Sequence, residues 1–523
     1  MLSQNEQLDP KRDLGLKQLS LFLNAEAKNL TPNLQNLPVD LTRRAANLWY
    51  IHFSKGEIDL SHGGVAESFI ELKDLKNKSL ETFNMYSHPN APILTQELMK
   101  RFLIEEGGLL EKQKDKFSVS FCLGSHEGVM RVARCLYTTG TNEELLFPEG
   151  GYGLLASALS SMLPVTFKVH LVDYVRDHGE KISFHALARL VKKHPKAKTL
   201  FLELKTTAGA VYTKDELEWI IKFCKQNKIF TMFDATHFNM HFDKKHAFPN
   251  VTQICQELDF HEFGVFYTGS KTYGLERARI GLIILDKASK TLSSVKIDDD
   301  LSRSLGFSRN NVPEAVAAHL FNTTLLQRQH YLEKCRIKQR YNMNLMFAYI
   351  EGINSPNIDK DLHEDIKNEL PECYHNGIPL LKIVYKPKCG MHLKINICQL
   401  KNKYFTNIRM FNAEIFCYAL NKLAGIVTIH THCIMDRSGN SLRLCYSIKR
   451  DIHAGMQAMH YFISSLTDKP TPNKYLTTVR LAEDLISAKK VTWLALLNTS
   501  LRPATYSNQM VDNGVANSIR ARL

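Results

Sequence analysis

Between about Lys116 and Leu285 the chain alternates short apolar runs with stretches of helical spacing. The runs are Phe117–Leu123, Leu145–Pro148, Val165–Val172, Thr199–Leu204, Ile229–Asp234 and Gly264–Thr268. Most are separated by the helical stretches Gly128–Tyr137, Tyr152–Met162, Phe184–His194 and Lys214–Gln226. Short, continuously apolar runs suit strands buried on both faces, and parallel strands need long crossovers that helices supply. The pattern predicts an α/β fold in which a mainly parallel sheet lies between helical layers. In such sheets ligands gather outside the carboxyl ends of the strands. The strand–helix junctions are therefore where chemistry is expected.

The flanks divide the chain further. Residues 1–58 read as a helical arm, with Leu14, Leu16, Leu19, Leu21, Phe22 and Leu23 giving it apolar surface to dock. A large domain is expected over 59–325. One long helix is expected over about 313–350. A smaller α+β domain occupies 326–468, its elements read at Leu380–Tyr385, Leu393–Ile397, Phe411–Leu423, Val427–His432, Ser441–Ser447 and Ile452–Leu466. Residues 469–523 are a linker, starting at Lys469-Pro470-Thr471-Pro472-Asn473, and an extension with an amphipathic helix around Leu481, Leu485, Ile486, Ala488 and Leu494.

Composition excludes several classes. The 523 residues are 44% hydrophobic and 23% charged, as in soluble globular proteins. No apolar run is long enough to span a bilayer. The start, with Glu6, Asp9 and Asp13, lacks the apolar core of a signal peptide and the acid-poor character of a transit peptide. The 11 cysteines are scattered, with no C-x-x-C pair, which fits a reducing, cytoplasmic setting. The net charge of +14 comes from dispersed lysines. The pairs Lys192-Lys193, Lys244-Lys245 and Lys489-Lys490 lack interleaved aromatics and read as solvated helix faces. Neither a nucleic-acid nor a membrane partner is expected.

The richest junction is Tyr267-Thr268-Gly269-Ser270-Lys271, continuing to Arg279-Ile280-Gly281. A lysine just past a strand end can form a Schiff base with an aldehyde cofactor. Thr268, Ser270 and Arg279 can hold a phosphate on that cofactor. Asp234 ends a strand 37 residues earlier. Opposite a pyridine nitrogen, a carboxylate keeps the ring protonated, and that cation should lower the carboxyl's own pKa. Gly124-Ser125-His126 opens a helix, where free N–H groups suit a phosphate. Tyr152 follows Gly150-Gly151 and offers a face for a planar ring. Glu203-Leu204-Lys205-Thr206-Thr207-Ala208-Gly209 forms a third junction. Arg443, on a strand of the small domain, has the planar fork that grips a carboxylate. His237 and His241 have helical metal spacing, and His430 and His432 share a strand face. Neither pair has an evident third ligand, and no metal is expected.

On these residues the chain resembles a fold-type-I pyridoxal-phosphate enzyme of the aspartate aminotransferase superfamily, class I/II, over about Asp59–Leu466. Thr268-Gly269-Ser270-Lys271 through Gly281 resembles the family's S-x-S-K-x-x-G-L-x-G-x-R-x-G, with Arg277 where a glycine is usual. The resemblance implies a seven-stranded type of sheet, pyridoxal 5'-phosphate on Lys271, stacking by Tyr152 and a homodimer. It implies that Tyr86 reaches the neighbouring subunit's phosphate and that Arg443 binds the substrate carboxylate. Two departures stand out. Counting back from Gly209, the family's asparagine at the cofactor's phenolic oxygen falls on Thr206. The tyrosine of its D-x-x-Y falls on His237. The implied activity is an aminotransferase using an amino acid and a 2-oxo acid. The alternatives are elimination, decarboxylation or oxidation with the same cofactor, or a non-catalytic regulatory protein on this scaffold.

Overall fold

The structure is a computed structural model that describes residues 58–60, 68–70, 94–137, 144–162, 167–292, 311–405, 408–410, 426–430 and 435–469, with single positions between 413 and 420. The chain divides into a unit spanning Met1–Thr471 and a second, Pro472–Leu523. The second unit, nearly all of the expected N-terminal arm, Tyr86 and His432 lie outside the described residues.

Seven strands build the main sheet: β1 (Phe117–Cys122), β2 (Glu144–Pro148), β3 (Lys168–Val172), β4 (Thr199–Glu203), β5 (Phe230–Asp234), β6 (Phe263–Thr268) and β7 (Gly281–Asp286). Their order is β1-β7-β6-β5-β4-β2-β3. Strand β7 runs antiparallel to both neighbours, and the other pairs are parallel. The strands are apolar on both faces because both are covered. Leu200 and Leu202 of β4 enter one core cluster and Phe201 the other. Leu282 and Ile284 of β7 likewise part from Ile283 and Leu285. The covering helices include α1 (Gln96–Glu105), α2 (Ser125–Tyr137), α3 (Gly153–Met162), α4 (Phe184–Lys193), α5 (Lys214–Asn227) and α6 (Val251–Glu257), and a single turn, α7 (Gly269–Thr272), follows β6. Helix α5 starts at a reciprocal Thr213/Glu216 cap, which satisfies two otherwise orphan N–H groups.

The single helix expected over 313–350 is two helices, α8 (Asn311–Asn322) and α9 (Leu325–Glu351). The reason is local. The Thr324 hydroxyl accepts from Gln327 N at 3.2 Å, and Gln327 Oε1 accepts from Thr324 N at 3.0 Å. That capping box restarts the helix. Buried Arg328 then fastens α9 to the end of α1 through Glu105 and Glu106.

A four-stranded antiparallel sheet follows: β8 (Lys382–Ile383), β9 (His392–Asn396), β10 (Ile429–His430) and β11 (Ser441–Cys445), in the order β8-β9-β11-β10. Its period-two alternation divides roles. Leu393, Ile395, Leu442 and Leu444 are buried in the core. His392 pairs with Cys445 and Lys394 with Arg443, so these four share the other face. Helix α9 packs against β8 and against α11, with α10 defined as His363–Glu369 and α11 as Lys449–Ser464.

The polar face is tied to the main-sheet region by buried charge. Lys394 Nζ donates to Glu180 Oε1 at 2.5 Å and to Asp436 Oδ2 at 2.7 Å. Arg437 adds a two-point contact to Glu149, at 3.1 and 2.8 Å. These links hold Arg443 over the carboxyl ends of the main sheet.

Candidate active site

Strand β6 ends at Thr268 and passes directly into one helical turn, Gly269–Thr272, that presents Lys271. Thr268 makes this turn. Its Oγ1 accepts from Ser270 N at 3.2 Å and donates to Ile280 O at 2.8 Å, and it lies 2.9 Å from Ser270 Oγ. Thr268 is thus committed to the backbone, and Ser270 is buried beside it. The Lys271 ammonium lies 3.7 Å from Glu276 Oε1. Burial pushes its pKa below the ordinary lysine value, against the pull of Glu276 and with the help of Arg443.

Two strands away in the sheet, β1 turns into α2 through Gly124. Gly124 has φ +85°, and a Cβ there would meet the Arg279 guanidinium at 2.8 Å. Arg279 is seated on this turn by donating to Leu123 O at 2.8 Å. Ser125, first residue of α2, has its hydroxyl 2.9 Å from Thr236 Oγ1. Thr236 in turn donates to Asp234 Oδ1 through its hydroxyl, and its N–H donates to the same oxygen at 2.9 Å. A helix N-terminus, a guanidinium and a hydroxyl meet here, which is a built anion cradle. Burial lowers the pKa of the His126 ring, and Arg279 lowers it further. His126 meets Tyr152 edge-on, with centroids 5.9 Å apart.

Tyr152 lies in the field of two cations. Burial raises its phenol pKa, and the charges of Arg443 and Arg279 oppose that rise. Asp234 behaves otherwise than its expected lowering. Burial pushes the carboxyl up in the protein alone, against the Thr236 bonds and Lys205. A ring cation would add the counter-charge that the Thr236 bonds and Lys205 only partly supply. His237 is half-buried, and its enclosed Nε2 has no hydrogen-bond partner among the described residues. Its ring meets His392 edge-on at 5.8 Å. Burial holds both imidazoles well below the usual range, and Lys205, Lys271 and Arg443 press in the same direction. Both histidines are neutral donors or acceptors at pH 7. The residues from Thr236 to Asn239 form a turn rather than a helix, so His237 and His241 do not share a helical face.

Thr206 is not in this group. Its hydroxyl donates to Gly179 O at 2.6 Å and accepts from Ala210 N at 3.1 Å, which holds the loop. The neighbouring Lys205 enters instead. It is buried and makes no hydrogen bond or close ion pair among the described residues. Its stem lies against Gly390, where a Cβ would meet Lys205 Cε at 2.8 Å and His237 Cδ2 at 3.3 Å. Burial lowers its pKa to about 8, against the pull of Glu203 and Asp234. Glu203 ends β4 directly opposite Asp234. Its pKa is raised by burial and by Asp234, and its carboxylate accepts from the Tyr152 backbone.

The structure therefore brings together Lys271, Gly124, Ser125, His126, Arg279, Tyr152, Asp234, His237 and Arg443. Thr206, Thr268 and Ser270 serve neighbouring backbone or each other. Glu203 and Lys205, named in the third junction without a role, join the site, as do His392 and Glu276, which were not singled out from sequence. Pyridoxal phosphate fits what is present: an anion cradle, a lysine on a strand end, an acid whose counter-charge is only partly supplied, and an orphaned imidazole nitrogen.

The sequence pattern of the aminotransferase class I and II family matches residues 50–356. No curated protein matches significantly in sequence. Among solved structures, an aspartate aminotransferase double mutant from Thermus thermophilus is similar, at 14% identity and a TM-score of 0.58, covering 84% of this chain and 98% of that one. An aromatic aminotransferase from Pyrococcus horikoshii OT3 matches at 14% identity and 0.58, covering 78% and 95%. A PLP-dependent aminotransferase from Streptococcus suis matches at 15% identity and 0.58, covering 81% and 98%. At these identities the likeness is one of fold. The family match spans more than half of the chain, and with the fold and the fit of the site it identifies the protein as a fold-type-I member of the aminotransferase class I and II family, whose cofactor is pyridoxal 5'-phosphate.

Proposed function

We propose that the protein moves an amino group between an amino acid and a 2-oxo acid. The observation that carries this reading is the convergence of Lys271, Asp234, Tyr152 and Arg443 on one buried place at the carboxyl ends of β4, β5 and β6. Held through the Lys271 amine, pyridoxal phosphate supplies an electron sink for charge at the substrate α-carbon. The protein's own part follows from the site. The α2 N-terminus, Ser125 and Arg279 would hold the phosphate. Tyr152 would offer its face to the ring, and Asp234 would keep the ring nitrogen protonated. His237 Nε2 and the Lys205 amine would be the donors for the phenolic oxygen. Arg443 grips the α-carboxylate and so orients the α-carbon. Lys271 Nζ, once released, takes the α-proton and returns it; its lowered pKa favours the neutral base that this requires. Amino acids and 2-oxo acids are the substrates, and a homodimer is the proposed assembly.

The test uses the full chain. Borohydride should fix pyridoxal phosphate to wild type and not to Lys271→Ala at position 271. Adding an amino donor should shift the cofactor absorbance, and a 2-oxo acid should reverse the shift. Ammonia release without a 2-oxo acid, or an unchanged adduct in Lys271→Ala, overturns the reading.

A further inference from the structure

We infer a second, metal-binding site at the opposite end of the main sheet, formed by Glu144, His170 and His194. Glu144 is the first residue of β2, at its amino end, whereas the reacting groups gather at the carboxyl ends. His170 lies in β3, the edge strand, opposite Leu146. Side chains two apart on a strand share a face, so Glu144 lies on the same face as Leu146 and His170. His194 follows the last residue of α4, the helix that packs on this strand.

The three side chains are already gathered. One ligand atom of each lies within 4.8 Å of the others. His170 Nε2 stands 3.2 Å from Glu144 Oε2, and His194 Nδ1 stands 3.9 Å from the same oxygen. In a tetrahedral site with bonds of about 2.0–2.1 Å, neighbouring ligand atoms are about 3.3 Å apart. The first pair has that spacing, and the second needs to close by roughly half an ångström. The backbone holds His194 in place. His194 N donates to Leu190 O at 2.8 Å, and its carbonyl accepts from Ala197 N at 3.0 Å. The two rings now stack with centroids 3.8 Å apart and would have to splay to share one ion.

Two imidazoles and one carboxylate suit borderline first-row ions, zinc above all, and not calcium or magnesium. The side chains are 14–25% exposed, which leaves water access for a fourth ligand. The carbonyl end of α4 adds negative potential beside the ion. A bound ion would pin the edge strand to β2 and to α4. The known competitors are the free thiols, of which Cys373 and Cys398 are exposed.

The experiment titrates zinc alone into the chelator-treated, cofactor-loaded full chain. One ion per chain should bind, and the thermal midpoint should rise with zinc concentration. The cofactor absorbance should not change, because the site is remote from Lys271. Outer-shell partners alone alter metal affinity about 10–100-fold, so His194→Ala and Glu144→Gln should each weaken binding by more than about tenfold. Glu144→Gln keeps the side chain's shape, so a folding defect in His194→Ala does not decide the matter. Zinc X-ray absorption should show only nitrogen and oxygen neighbours at about 2.0–2.1 Å. No binding, affinity unchanged in Glu144→Gln, a sulfur shell near 2.3 Å, or a zinc-induced change in cofactor absorbance each overturns the site.

Discussion

Replacing Lys394 by methionine probes the junction that places Arg443 over the main sheet. Methionine keeps most of the stem and removes the charge. The three side chains of this junction are at most 3% exposed, so the interaction needs no discount for solvent. Burial pushes the Asp436 carboxyl up, but Lys394 and the Ser438 bonds outweigh it and hold it below the usual range. Burial of Glu180 is only partly offset by Lys394, so its pKa stays above the ordinary value of 4.5. Burial lowers Lys394, and the two carboxylates more than restore it. Without the ammonium, two buried carboxylates face one another. Removing one partner of a buried pair costs about 3–5 kcal/mol.

The sign of the pH dependence follows. Glu180 already has a folded pKa above its unfolded one, and the variant raises it further. Such an acid leaves stability intact below its unfolded pKa of 4.5 and erodes it as pH rises toward the folded pKa. The stability gap between wild type and Lys394→Met should therefore be smallest at the acid end, around pH 5, and widest near pH 8. Urea unfolding of the cofactor-loaded chain at both values measures it. Lys394→Met combined with Glu180→Gln should recover part of the loss, since one uncompensated charge is gone. A gap below about 1 kcal/mol, within the range of an exposed pair, refutes the reasoning. So does a gap that is the same at both pH values, or a double variant no more stable than the single one.

Two further outcomes concern the site itself. Arg443→Ala should weaken amino-acid binding by about 2–5 kcal/mol, the cost of leaving a buried carboxylate unpaired, with cofactor content unchanged; a cofactor-free variant with normal amine kinetics would assign Arg443 elsewhere. His237→Phe removes the orphaned donor, so the pH midpoint of the cofactor absorbance should rise, and His237→Tyr should restore it; equal midpoints at full occupancy exclude a donor role.

Sequence and structure agree where the signal is local. Strands buried on both faces must be continuously apolar, so six of the seven main strands stand out as runs. Lys271, Asp234 and Gly124 sit at strand ends, and a parallel sheet gathers those ends along one edge. Strand β7 was hidden because its antiparallel return follows the lysine loop without a separating helix. Thr206 illustrates a different failure. Counting back from Gly209 gives a position in a motif but not a direction. Direction follows from period-two alternation: Glu203 and Lys205 point alike, and Thr206 points away to Gly179. That signal was present in the sequence, in a buried acid at a strand end with a lysine two residues on. His392 had no such signal, because only the register of β9 against β11 brings it beside Arg443. The Glu180–Lys394–Asp436 cluster is likewise tertiary, drawn from three separate segments.

The exchange of groups near His237 has a consequence for charge. Lys205, Lys271 and Arg443 all act on the two buried imidazoles, and these respond by staying neutral. Protonating either would add a fourth cation to a buried space, where such repulsion is weakly screened. The opposing charge comes from Asp234 and Glu203, adjacent across β4 and β5. Two acids so placed cannot both ionise cheaply, so Asp234 adds to the upward push of burial on Glu203, whereas burial pushes Lys205 down against the pull of both acids.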